Sequence, residues 1–192
     1  PARPVTHRWP ANMDPSDETE FAGEREYHTL DSFLQPLGSC GVSSDSVVYK
    51  NGMLLPETVV NPAQVPYYRY RHAVKKYFFS KRVKLDPDTR YLLATDAWST
   101  GHFHWICDVL PALWSIRDRA KDHCLLLPDQ SYIRRIGPES LEMLGIRFRD
   151  IVWMSPDAFY KIPQLDRLSP VVPSGHMHPG LMQAIRDRFR NG

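Results

Sequence analysis

Long apolar runs are missing from this sequence. No stretch approaches the ~20 residues that a membrane helix needs, and the longest is about as long as Cys124-Leu125-Leu126-Leu127. No helical span is expected. Cysteine is scarce, with Cys40, Cys107 and Cys124 alone. A disulfide framework would need more, which points to a reducing compartment and leaves room for one bridge. Charge of one sign is missing too: 24 Lys and Arg stand against 22 Asp and Glu, a net +2. That balance argues against nucleic acid as a partner. No basic segment followed by an apolar one opens the chain at Pro1, so no targeting segment is expected. The expected compartment is the cytoplasm, with a secretory lumen as the alternative. Both termini read as cuts in a longer protein, and neither repeats nor low-complexity tracts occur.

What is present is an ordinary globular composition, 42% hydrophobic and 24% charged over 192 residues, enough for a buried core. Residues 1–43 read as an acidic, irregular arm. Residues 44–88 read as a β-rich hairpin segment. Within it, Asn51-Gly52 between apolar runs predicts a tight turn, because both residues tolerate positive φ. Tyr77-Phe78-Phe79 reads as another short strand.

From residue 89 the pattern alternates. Strands are predicted at Arg90–Thr95, Cys124–Leu127 and Ile151–Trp153. Helices are predicted over about 102–119, 129–144 and 179–190. The second is expected to break at Gly137-Pro138 and to stop at Gly145. A proline-rich connection should lead into the last helix. This α/β alternation builds a parallel sheet with covering helices.

Chemistry concentrates in the run from Ser99 to Trp114. Ser99 or Thr100 can cap a helix there, and Gly101 permits close approach of backbone or ligand. His104 and Asp108, at i and i+4, can meet on one helix face. Pro111 should kink or end the helix just beyond them. A carboxylate that orients an imidazole makes a general base; the same spacing also serves a helix-stabilising pair. His102 and His104 invite a metal reading with His123, His176 or His178 as a distant ligand, but i and i+2 diverge on a helix. No metal cofactor is expected.

Two further stretches have a functional and a plain reading. The basic, aromatic segment Tyr67 to Lys84 could stack bases or attract a polyanion, or form a strand pair with a solvated basic edge. Pro173-Ser174-Gly175-His176 could turn backbone N–H groups toward a phosphate.

The run Gly101-His102-Phe103-His104-Trp105-Ile106-Cys107-Asp108-Val109-Leu110-Pro111-Ala112-Leu113 resembles the signature region of family 61 glycosyltransferases. Asn51-Gly52, Leu54-Leu55-Pro56-Glu57-Thr58, Leu126-Leu127-Pro128, Ser131-Tyr132 and Leu144-Gly145-Ile146 resemble its flanking marks in order, over about residues 44–190. The resemblance implies α/β architecture, with residues 89–192 as the Rossmann-like, acceptor-side half of a GT-B enzyme. It implies inverting transfer of a sugar from a nucleotide sugar to a glycan hydroxyl, without a metal. The donor-binding C-terminal half, expected beyond residue 192, would be a partner, so the isolated chain should transfer little sugar. His104 and Asp108 become the catalytic candidates, and His102, Asp96 and Gly101 the substrate-contacting ones. A non-catalytic glycan-binding or scaffolding domain with this fold is the alternative. Peripheral membrane association and oligomeric state stay open.

Overall fold

The computed structural model describes residues 2–8 and 14–191, with the backbone alone at 20, 21, 24 and 191. Strands β1 (Pro4–Thr6) and β2 (Glu26–His28) pair as a two-stranded ribbon. A mixed eight-stranded sheet contains β3 (Leu34–Ser43), β4 (Val48–Lys50), β5 (Met53–Leu54), β6 (Lys81–Lys84), β7 (Tyr91–Leu93), β8 (Cys124–Pro128), β9 (Asp150–Met154) and β10 (Ala158–Leu168). Its order is β5-β4-β3-β10-β7-β8-β9, with β6 also on β10.

The parallel strands β7, β8 and β9 fall where the apolar runs predict them. Both faces of β7 and β8 are buried, as continuous apolar runs require. Leu92, Leu125 and Leu127 face one core with Trp105, Leu110, Leu113, Leu141 and Ile185 from the helices. Tyr91, Leu93, Cys124 and Leu126 face another, filled by β3 and β10. Helices therefore cover one face of the parallel strands and a second β layer covers the other. A doubly wound sheet would carry helices on both.

That second layer comes from a reversal within β10. Ala158–Lys161 pairs with β6, and Leu165–Arg167 pairs with β7. Pro156, just before β10, borders a small cavity with Asp96 and Pro128 at the C-terminal ends of β7 and β8. Arg167, near its far end, is the register partner of Leu93 at that same end. The strand runs across the sheet and returns, turning at the register shift between Ile162 and Leu165. Pro163, which has no N–H to give a ladder, sits in that turn. β3 follows antiparallel throughout, with Gly38 at φ +70° opposite Leu165. β10 takes up the first part of the expected proline-rich connection and β3 the end of the expected irregular arm, and these two strands join the layers.

The outer face of the second layer is covered by a helix over residues 65–79, with a π segment at Tyr68–His72. It replaces the predicted strand at Tyr77-Phe78-Phe79. The hairpin expected at Asn51-Gly52 is present, with φ of 52° and 78°.

On the helical face, residues 102–115 run through Pro111. A π turn at Trp105–Val109 has Leu110 N–H donating to Trp105 O. This wider turn carries the helix past a residue that cannot donate. A 3-10 stretch, Arg117–Asp122, follows. The helix Ser131–Leu144 likewise continues through Pro138 and ends at Gly145, φ +69°. Gly137 packs against Trp105 and Leu127, and that burial holds the segment helical against its local breaker. The last helix is Pro179–Asn191. No helix among the described residues is long and apolar enough to cross a membrane.

Candidate active site

β7 ends at Leu93 and the chain turns through Asp96 into the helix at His102. Asp96 holds that turn. Its Oδ1 accepts from Trp98 N at 2.8 Å, Ser99 N at 2.9 Å and Ser99 Oγ at 2.9 Å. Ser99 is thereby used within the turn and does not cap the helix; Gly101 is the N-cap residue, with no side-chain cap. A Cβ on Gly101 would come 3.4 Å from Trp98 O and 3.5 Å from His104 Cδ2, ordinary contact distances.

His104 Nδ1 lies 2.8 Å from Asp108 Oδ2, the contact that the i, i+4 spacing predicts. The carboxylate is largely buried. Burial raises the Asp108 pKa and the Asp96 charge adds to it, against the lowering effect of His104 and nearby Ser174. Oδ1 of Asp108 is buried and has no hydrogen-bond partner. With Oδ2 holding Nδ1–H, His104 Nε2 becomes the proton-accepting edge of the pair. Two half-exposed aromatic rings, Trp98 and Phe103, flank the imidazole, each with its centroid 5.5 Å away.

Asp108 also borders a cleft of about 240 Å³, lined by Glu57, Asp96, Ser99, Arg167 and Ser174 among others. The cleft brings Asp96 and Asp108 together and leaves out His102, Gly101 and His104. His102 hydrogen-bonds Tyr132 Oη through Nδ1. Arg167 Nη2 donates to Glu57 O at 2.7 Å. Burial lowers the arginine's pKa, with Glu57 and Asp96 opposing the shift. Sequence reasoning missed Arg167, Trp98 and Glu57 as site residues. Arg167 and Glu57 come from distant segments that meet through the β10 reversal, whereas Trp98 was within reach as an aromatic two residues past Asp96.

The histidines of the metal reading are dispersed. His123 is buried against Asp166, His176 stacks on Tyr27 at 4.2 Å, and His178 Nδ1 accepts from Leu181 N at 3.2 Å. That last bond caps the final helix, whose N-terminus starts at Pro179, beyond the Pro173–His176 stretch. Among the described residues no group of three ligating side chains converges. No protein-family model, curated protein or solved structure matches this chain.

Proposed function

We propose that this chain is the acceptor-side part of an inverting glycosyltransferase of the family 61 type, with His104 as the general base and Asp108 as its orienting partner. The observation that carries the reading is the His104–Asp108 pair, set beside two exposed aromatic rings. A sugar ring laid against Trp98 or Phe103 presents its apolar C–H face to the π surface and can bring a hydroxyl to His104 Nε2. The hydroxyl proton passes to Nε2, the oxygen forms the new bond to the donor's anomeric carbon, and the nucleotide leaves with the electrons of the broken bond. Asp108 stabilises the imidazolium so formed, while its own Oδ1 stays sealed from solvent. The Rossmann-like, GT-B arrangement and the separate donor-binding half belong to the same proposal.

The second reading is a glycan-binding domain without chemistry. Arg167, Glu57 and Asp96 around one cleft favour it, since they supply donors and acceptors for hydroxyl groups with no need of a base. The test is transfer and hydrolysis by the full-length gene product across a panel of nucleotide sugars, alongside His104→Ala and Asp108→Asn. The proposal expects turnover of one donor and a loss of ~100-fold or more in both variants, as removal of a general base costs. Full activity in both variants makes the pair structural. No turnover of any donor moves the binding reading ahead.

A further inference from the structure

The helix over residues 65–79 has a mixed inner face, with Val65, Ala73 and Tyr77 packed on the core beside buried polar groups, and an apolar outer one. Tyr68, His72 and Lys76, at i, i+4 and i+8, face inward and are buried. His72 Nε2 lies 3.1 Å from Asp45 Oδ2, and its Nδ1 is 2.8 Å from Tyr49 Oη. Lys76 Nζ donates to Pro156 O at 2.7 Å. Tyr70, Val74 and Phe78 keep the same spacing two residues out of phase, about 200° around the axis, and face outward. Tyr70 is 64% exposed, Phe78 76% and the adjacent Phe79 81%. The partners of His72 and Lys76 lie beneath the helix, while Tyr70, Val74, Phe78 and Phe79 stand in water.

Arg69, Arg71 and Lys75 share the helix with those side chains and Lys81, Arg82 and Lys84 follow on β6, all exposed, and no acidic residue occurs between Glu57 and Asp86. The stretch carries seven of the 24 Lys and Arg and none of the 22 Asp and Glu, so the rest of the chain is net negative and the cations are gathered here. Lysine is depleted from the cores of protein–protein interfaces. Interleaved aromatics and cations are what an interfacial helix offers to headgroups and acyl chains.

We infer that the outer face of this helix, with the start of β6, is a docking surface for an anionic lipid bilayer. Phe78, Phe79, Val74 and Tyr70 enter the headgroup–acyl boundary, and the arginines and lysines meet lipid phosphates. The inference is independent of the sugar-transfer reading, because none of these residues borders the His104 site or its cleft.

Flotation with phosphatidylglycerol–phosphatidylcholine vesicles and with pure phosphatidylcholine vesicles tests it. The chain should float with the anionic vesicles, detach as salt is raised, and stay behind with the zwitterionic ones. Phe78→Ser/Phe79→Ser should weaken binding about tenfold or more. Arg69→Gln/Arg71→Gln/Lys75→Gln should weaken it on the order of a hundredfold. Urea midpoints serve as the folding control, and because all five side chains are exposed, either variant suffices alone if the other fails to fold. Three results overturn the inference: no binding to anionic vesicles, equal binding to both lipids, or binding that neither variant changes. Concentration-dependent self-association abolished by the phenylalanine variant, without vesicle binding, would assign the face to a second copy of the chain.

Discussion

His123 Nε2 stands 2.8 Å from Asp166 Oδ2, both side chains buried, and ties the start of β8 to the returning half of β10. Arg90 Nη2 reaches the same oxygen at 2.6 Å from a more exposed position. Removing the carboxylate leaves the buried imidazole of His123 without its hydrogen-bond partner, at about 1–3 kcal/mol, whereas replacing both with apolar groups is often neutral. Asp166→Ala should lower unfolding free energy by about 2 kcal/mol in urea titrations. The double variant His123→Leu/Asp166→Leu should recover much of that loss.

Asp108 carries the opposite sign. Its pKa is raised by burial, so folding disfavours its charged form. The penalty is fully present above the folded pKa and vanishes below the unfolded value of ~3.9. Asp108→Asn should therefore be at least as stable as the parent at neutral pH, with the advantage fading as pH falls toward ~4. Urea midpoints across that range check it. A pair kept for helix stability would give the reverse, a loss at neutral pH.

Asp45 should supply acid-sensitive stability. Burial alone would raise its pKa, but the nearby His72 and the Ser43 hydroxyl together outweigh it and bring the value down to about 2. A depressed folded pKa stabilises above the unfolded value and is lost as pH falls through the folded one. The contribution is about 2 kcal/mol, present above pH ~4 and gone near pH 2. Asp45→Asn should flatten the fall in urea midpoint over that interval.

Two glycines should respond oppositely to alanine. A Cβ on Gly41 would lie 2.7 Å from Cε1 of buried Phe159, too close to accommodate without movement of the ring. Overpacking of that kind costs ~1–3 kcal/mol. At Gly137 the nearest atoms are 3.5 Å or more away, and the position is helical. Gly137→Ala should raise stability by up to ~1 kcal/mol. Thermal melts of the two variants should move in opposite directions.

Local pattern was informative where it also matched the tertiary setting. The leucines of β7 and β8, the Asn51-Gly52 turn, the Gly145 stop and the His104–Asp108 contact all depend on neighbours within a few residues. The failures share a cause. Pro163 hid β10, since proline argues against a central strand unless a bulge receives it. Gly38 and Pro36 hid β3 in the same way. Tyr77-Phe78-Phe79 read as a strand because its aromatics favour one, and nothing local indicated that Tyr68, His72 and Lys76 would find buried partners in Asp45, Tyr49 and Pro156. Arg167 was invisible as a site residue because only the reversal of β10 carries it to the cleft.

That reversal also governs when the molecule can form. β3 is synthesised early and can pair with β4 at once, yet most of its register partners lie in β10, and Phe33 N–H donates to Ser169 Oγ across 136 residues of chain. The helices and the β7–β8 pair can begin to assemble on the ribosome, while β3 waits with one edge open. Completion of the sheet is a single late event of high contact order, which makes folding slow and the waiting edge strand a point of misassembly.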